Sequence, residues 1–518
     1  MRHNSTGTYT KNGNMNYKNS FLTGAVLALV PSALSYCAPG NQDKNENNGG
    51  SAGQDSRPNI LFIVSEDNGP ELGCYGAPVK TPNLDRLASE GILFRNAYVT
   101  QAGSSPSRAS FLTSLYPHQN GQIGLATWDY SMYQDHTPNM VNTLKESGYR
   151  TGMIGKLHVL PESAFDFDWW ETQGSNFQRK NLARYAVEAA KFIKESDQPV
   201  YLQVNFPDAH DPFLPQVDGQ PAKPLTAAEV EPLPYFGVTS DSLKQKTADY
   251  YNCIMRLDYW IGDLIQKLKE TGEYENTVII YIGDHGADML RGKRTVYEGG
   301  VRIPLIISWS GAVKKVEYEG LVSTLDIYPT VLAITGIKTP GYLQGKSLLP
   351  VLQGSTEPVR KFLFTEYHVH SNHNPYPQRA VRNKNFKLIY NPVSGYENPG
   401  FFYTIGKKIN KPDFYKALDA APQVVRQAYE RMQKPPEYEL YDLKNDPYEW
   451  SNLADNPEYS KVFEKLKNEL VSWQKATSDP FIDKNIAKKL FLEILGADNK
   501  KVEIKYHDYM DPHMIFEK

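Results

Sequence analysis

The stretch Gly103-Ser104-Ser105-Pro106-Ser107-Arg108-Ala109-Ser110-Phe111-Leu112-Thr113 decides how the chain is read. A short polar segment containing Pro106 runs directly into an apolar, helix-compatible run. The join predicts a strand-to-helix turn with the Ser104 side chain exposed, which is where a nucleophile belongs. A plain helix start explains the same residues, because Ser and Pro favour N-terminal caps and turns without any chemistry. Taken alone, the stretch leaves both readings open.

Working outward, Asn59-Ile60-Leu61-Phe62-Ile63-Val64 upstream is an apolar, β-branched run that suits a strand buried on both faces. It ends in Ser65-Glu66-Asp67-Asn68-Gly69, so two adjacent carboxylates stand at the carboxyl end of a strand, where α/β sheets hold ligands. A solvated turn is the bland reading of the same pair. Thr81-Pro82-Asn83-Leu84 opens a helix at its proline. Downstream of the turn, Tyr116-Pro117-His118-Gln119-Asn120-Gly121 reads as a loop in which His118 is a polar surface residue. Gly148 to His158 reads as a short strand ending in a Gly-Lys-x-His turn, and strand alternation places Lys156 and His158 on one side.

An amphipathic helix with Leu182, Tyr185, Ala189 and Phe192 on one face precedes the strand from Val200 to Phe206, which delivers Asp208-Ala209-His210-Asp211. Another helix, with Ile254, Leu257, Ile261 and Leu264, precedes Thr277-Val278-Ile279-Ile280-Tyr281-Ile282, and this strand ends in Gly283-Asp284-His285-Gly286. The alternation predicts a parallel sheet with its strand ends on one rim. Further on, Phe386-Lys387-Leu388-Ile389-Tyr390 and Tyr438-Glu439-Leu440-Tyr441-Asp442 predict a small antiparallel sheet. A helix carrying Val462, Leu466, Leu470 and Trp473 should cover it.

With 518 residues the chain exceeds one ordinary core, so we expect a large domain over 57–350 and a smaller α+β domain over 351–518. Residues 1–37 read as a signal peptide, with a start perhaps at Met15, a basic Lys18 and an apolar run from Phe21 to Val30. The run is too short for a membrane span. Its ending, Leu34-Ser35-Tyr36-Cys37, resembles a bacterial lipobox, which would acylate Cys37 and tether an exported protein to a membrane; a periplasmic location is the other expectation. Residues 38–56 are polar and read as a flexible linker. A net charge of -3 argues against nucleic acid as the main partner. Beyond Cys37 the cysteines are Cys74 and Cys253, which imply no disulfide scaffold.

The spacing Ser/Cys-x-Pro-Ser-Arg-x-x-x-Leu-Thr from Ser104 to Thr113 resembles the signature of the type I, formylglycine-dependent sulfatases. The resemblance implies an alkaline-phosphatase-like α/β fold: a large, mostly parallel sheet between helices, with a smaller C-terminal antiparallel sheet. It implies that a separate sulfatase-maturating enzyme oxidises Ser104 to 3-oxoalanine, whose hydrate attacks sulfur, with Arg108 holding that residue in place. Glu66, Asp67, Asp284 and His285 then become ligands, with the modified Ser104, for one Ca²⁺; hard oxygen donors suit that ion better than Zn²⁺. Glu66 stands where relatives carry Asp, and Ser114 where the signature usually has Gly. The Gly-Lys-x-His turn supplies Lys156 for sulfate and His158 near the attacking hydroxyl. His210 becomes the proton donor to the leaving group, and Lys293, in the run from Arg291 to Pro304, a second sulfate contact.

Several local runs resemble the heparan N-sulfatase (sulfamidase) branch, among them Gly155-Lys156-Leu157-His158-Val159, Tyr376-Pro377-Gln378-Arg379 and Trp473-Gln474. Lys293 departs from that branch, which has Arg there. The implied reaction is removal of the N-linked sulfate from glucosamine at the end of heparin or heparan fragments, with His368 and Arg379 as sugar contacts. An O-sulfatase on another sulfated sugar is the alternative within the family. A two-zinc phosphatase would need an Asp-x-x-x-His-x-x-x-His cluster that the sequence lacks. A non-catalytic glycan-binding lipoprotein would have no need of lysines and histidines converging on a metal.

Overall fold

Seven consecutive buried residues, Asn59–Ser65, form β1, the strand around which the larger sheet is assembled. Ile60, Phe62 and Val64 enter one apolar core and Leu61 and Ile63 another, so both faces are covered and the strand carries no polar alternation. This computed structural model describes residues 57–314 and 316–497. The expected signal peptide, the linker and Cys37 lie outside the described residues. No helix among the described residues is long and apolar enough to cross a membrane.

The other strands of this sheet are β2 (Ile92–Tyr98), β3 (Arg150–Ile154), β4 (Trp169–Glu171), β5 (Val200–Phe206), β6 (Thr277–Gly283), β7 (Arg302–Trp309) and β8 (Val316–Ser323). Their order is β4-β3-β5-β1-β6-β7-β2-β8. All neighbours are parallel except at β7, which runs against both β6 and β2. Two reversals restore direction, so β2 runs with β6 and its carboxyl end opens on the same rim. The helices Ala183–Lys194 and Asp241–Thr271 cover the face that holds Leu61 and Ile63, and the helices Ser104–Thr113 and Ile327–Ile334 cover the opposite face.

The second sheet, in the order β12-β11-β10-β9, is antiparallel throughout: β9 (Leu363–Tyr367), β10 (Gln378–Arg382), β11 (Phe386–Tyr390) and β12 (Tyr438–Asp442). The helix Ser460–Ala476 packs Leu466, Leu470 and Trp473 on Val381, Leu388 and Leu440 of this sheet. The two sheets thus fall on either side of residue 350, yet they are tied directly. Glu366 of β9 donates its N–H to the Thr100 carbonyl at 2.8 Å, and Arg360 pairs with buried Asp326.

Two local expectations are corrected. His118 is not on the surface: it lies in a short helix, Pro117–Asn120, with its Nδ1 2.6 Å from Glu366 Oε2. Strand alternation does not set Lys156 and His158, because β3 stops at Ile154 and the chain turns through positive φ at Gly155 (88°) and His158 (60°). Gly155 is required there, since a Cβ would lie 2.6 Å from the Asn205 carbonyl oxygen.

Candidate active site

Five strands running the same way bring their carboxyl ends to one rim. β1 contributes Glu66 and Asp67, β3 Lys156 and His158, β5 Asp208 and His210, and β6 Asp284 and His285. β2 leads through residues 99–103 to Ser104, the first residue of the helix Ser104–Thr113. All ten residues of that helix are buried, so the expected exposure of Ser104 is corrected: it is 1% exposed. The covering segments account for this. Ala126 donates its N–H to Ser105 Oγ at 2.9 Å, and Arg294 donates its N–H to the Ala102 carbonyl at 2.9 Å. The helix ends at Ser114 in the left-handed conformation (φ 56°), where glycine would be easier. The serine is held by its hydroxyl, which donates to the Leu325 carbonyl and accepts from the Gly345 N–H.

Arg108, one turn into the helix, is fully buried and fixes the arrangement. It donates to Glu66 Oε1 at 2.7 Å, Asn205 Oδ1 at 2.8 Å, the Lys156 carbonyl at 3.1 Å and Asp284 Oδ2 at 3.2 Å. The planar guanidinium therefore clamps the ends of β1, β3, β5 and β6 together. Lys156 Nζ takes the other Glu66 oxygen at 2.9 Å, and Lys293 Nζ bonds both Asp67 oxygens at 2.9 and 3.1 Å. Three carboxylates thus face three cations inside a buried cluster.

His285 gives the test for a metal ion. Its Nδ1 lies 2.8 Å from the Gly286 carbonyl, which can only accept, so Nδ1 carries the proton. Nε2 then turns toward Ser104 Oγ at 3.1 Å, Asp67 Oδ1 at 3.3 Å and Asp284 Oδ1 at 3.6 Å. A lone pair facing two carboxylate oxygens is repulsive unless a cation or a second proton lies between them. Asp67, Asp284 and His285 bring ligand atoms within 4.8 Å of one another, as do Glu66, Asp67 and His210, so the residues present fit a divalent ion centred on Asp67. Glu66, expected as a direct ligand, has each oxygen occupied by a cation and also serves as their counter-charge.

The electrostatics follow from burial against neighbours. Burial would raise Glu66, but Lys156 and Arg108 overcome it and hold its carboxyl at about 2. Burial opposes Asp67 and Asp284 as well, yet Lys293 beside the first, and His285 and Arg108 beside the second, keep both below the usual carboxyl range. Lys156 is lowered because burial outweighs its single carboxylate partner, whereas Asp67 and Asp288 lift Lys293 above an ordinary lysine despite burial. Burial lowers His210, and burial with adjacent Lys156 takes His158 well below an ordinary imidazole. A bound anion beside these rings favours their charged form.

The family model described as Sulfatase matches residues 58–337, more than half of the chain. The chain belongs to the sulfatase family. A second model, N-sulphoglucosamine sulphohydrolase, C-terminal, matches residues 283–398. Among curated relatives, N-sulphoglucosamine sulphohydrolase of Homo sapiens is 32% identical over 82% of this chain and 92% of its own length. An ulvan-active sulfatase of Formosa agariphila is 30% identical over 82% of this chain and 81% of its own. A structure solved with its substrate D-glucosamine-2-N,6-O-disulfate superposes with a TM-score of 0.62 at 23% identity, covering 82% of this chain and 98% of that one. As a sulfatase, the protein is a hydrolase of the sulfuric ester and sulfamate class.

Several residues that shape this sulfatase site were not visible beforehand. Asp208 sits between two buried arginines: Arg256 takes both its oxygens at 2.8 and 2.6 Å, and Arg179 takes Oδ1 at 3.1 Å. Arg179 also bonds the His210 carbonyl. His210 stacks on Phe177 with centroids 4.0 Å apart and donates Nδ1–H to the Asp211 carbonyl, leaving Nε2 turned to the Glu66–Asp67 edge. Only Arg256 left a trace in the sequence, as a charge among Cys253, Ile254 and Leu257 on an apolar helix face. The expected sugar contacts are corrected. Arg379 is fully buried with Nε and Nη2 on Asp479, and His368 Nε2 lies 3.1 Å from Glu366 Oε1, so both tie the C-terminal sheet together.

Proposed function

We propose that this sulfatase removes the N-linked sulfate from glucosamine at the end of heparin or heparan sulfate fragments. The observation that carries this reading is that the region matching the N-sulphoglucosamine sulphohydrolase C-terminal model contains Asp284, His285, Lys293 and β9. Ser104, once oxidised to 3-oxoalanine by a maturating enzyme, supplies as its hydrate the oxygen that attacks sulfur. Asp67, Asp284, His285 and the modified Ser104, with Glu66 at their edge, would hold a calcium ion, which would supply Lewis acidity toward a sulfate oxygen.

The remaining work falls to the chain's own side chains. Arg108 keeps Ser104's helix and the carboxylates of Glu66 and Asp284 in register. Lys156 and Lys293 gather the sulfate oxygens and stabilise charge as it moves toward the leaving group. His210, with Nδ1–H fixed on a carbonyl, presents Nε2 to protonate the leaving nitrogen, and His158, whose ring nitrogens have no hydrogen-bond partner among the described residues, handles the proton at Ser104. General acid help of this kind is worth about 10²–10⁴-fold.

Incubation with N-sulfated and O-sulfated glucosamines tests the assignment. Sulfate release from the N-sulfated sugar is expected, and release only from an O-sulfated sugar overturns it. The O-sulfatase reading is favoured by one observation, the 30% identity to an ulvan-active sulfatase. We also propose export, with Cys37 acylated; absence of fatty-acid label at Cys37 would refute the tether.

A further inference from the structure

Beside the charged cluster lies a surface that the chemistry at sulfur leaves unused. The segment leading into Ser104 is tied to two loops. Gln101 Nε2 donates to the Ile123 and Val369 carbonyls, and Leu125 donates its N–H to the His370 carbonyl at 3.0 Å. Together with the bond from Ala126 to Ser105, these ties line up three rings beside the site. Trp128 meets His373 edge to face with centroids 4.8 Å apart, and His373 stacks on Tyr403 at 5.9 Å. The Arg294 guanidinium, next to Lys293, lies 5.2 Å from the Tyr403 ring centroid. All three rings keep part of their surface open.

His370 closes the near end of this row. Its Cδ2 is 3.6 Å from where a Cβ would stand on Gly103, so the ring lies against the residue preceding Ser104. Its Nε2 is shut off from solvent and has no hydrogen-bond partner among the described residues. An orphaned buried polar atom is costly, and one beside an active site points to a partner that arrives with the ligand.

We propose that Trp128, His373 and Tyr403 form a saccharide subsite that takes the C–H-bearing face of the sugar whose sulfate reaches Lys156 and Lys293, while His370 Nε2 hydrogen-bonds a polar group on that sugar. The slightly positive C–H hydrogens of a pyranose meet the negative faces of aromatic rings, and one placed polar atom fixes the orientation. The subsite recognises the carbohydrate and not the sulfate, so it separates sugar binding from anion binding. It rests on the glycan reading above.

The test is steady-state kinetics of the matured enzyme and its Trp128→Ala, Trp128→Phe, His370→Ala and His370→Gln variants. The substrate is whichever sulfated glucosamine the wild type hydrolyses, with inorganic sulfate as competitor. Trp128→Ala and His370→Ala are expected to raise KM about tenfold or more, with kcat changed by no more than about twofold. Inhibition by inorganic sulfate should be unchanged, and Trp128→Phe and His370→Gln should recover much of the loss. Unchanged KM in both alanine variants overturns the subsite, as does a parallel weakening of sulfate inhibition, which would place these residues in the charged cluster. If His370→Ala does not fold, the comparison of Trp128→Ala with Trp128→Phe decides. A wild type that cleaves an aryl sulfate but no sulfated sugar overturns the glycan reading itself.

Discussion

Replacing Arg108 by Ala strikes the clamp on which the site depends. Its side chain is fully buried and donates to four acceptors on four strand ends, two of them the carboxylates of Glu66 and Asp284. Deleting one partner of a buried ion pair costs about 3–5 kcal/mol, because the remaining charge is neither solvated nor compensated. Glu66 gives a second route to the size of the effect. Its carboxyl is held at about 2 instead of 4.5, which corresponds to roughly 3 kcal/mol of net stabilisation. Lys156 and Arg108 share that effect against burial. The folded-state value lies below the unfolded one, so the contribution is full above pH 4.5 and is lost as pH falls through about 2. Urea unfolding followed by tryptophan fluorescence should show Arg108→Ala less stable by about 3–5 kcal/mol at pH 7, with a flatter stability curve as pH falls from 4.5 to about 2. Arg108→Lys keeps the charge but loses the fork and should fall between. A variant within about 1 kcal/mol of wild type would refute the clamp.

Ser104→Ala, or expression without a maturating enzyme, should abolish turnover and leave the fold intact; full activity from a protein whose Ser104 peptide has its unmodified mass contradicts the mechanism. Calcium at a hundredfold excess over its dissociation constant should stabilise the wild type by about 2.7 kcal/mol, and chelation should remove both this gain and the activity. Asp284→Asn should lose the calcium-dependent rise in melting temperature. Ser114→Ala strands the Gly345 N–H and the Leu325 carbonyl and should cost about 1–3 kcal/mol by urea titration. Glu71, whose carboxyl burial pushes up to about 7 despite the Tyr250 hydroxyl on it, favours the folded state while protonated. That benefit is full below pH 4.5 and disappears as pH rises through about 7, so Glu71→Gln should lessen the fall in melting temperature between about pH 5 and pH 8.

The strands that build the rim were legible because they are apolar on both faces and end in charge. Val200–Phe206 and Thr277–Gly283 fall where the sequence places them, as do the carboxylates beyond them. What pattern reading missed are long-range partners. Nothing local announces that Asp208 is caught by Arg179 and Arg256, or that His118 is buried against Glu366 from another sheet. Arg379 was expected as a sugar contact through the resemblance, but Asp479, a hundred residues later, occupies it. Backbone turns misled in the same way. The left-handed residues at Gly155 and His158 break the alternation from which their side was inferred, and the loops that bury Ser104 come from sequence too distant to signal it.

The closure over Ser104 bears on when the proposed maturation can take place. A serine with 1% of its surface open offers no room for another enzyme's catalytic centre. On the proposed mechanism, oxidation of Ser104 would have to precede collapse of the nascent polypeptide, while the Ser-x-Pro-Ser-Arg segment is still an extended strip. Maturation and folding would then compete for the same interval, and a molecule that folds first would lack the proposed nucleophile.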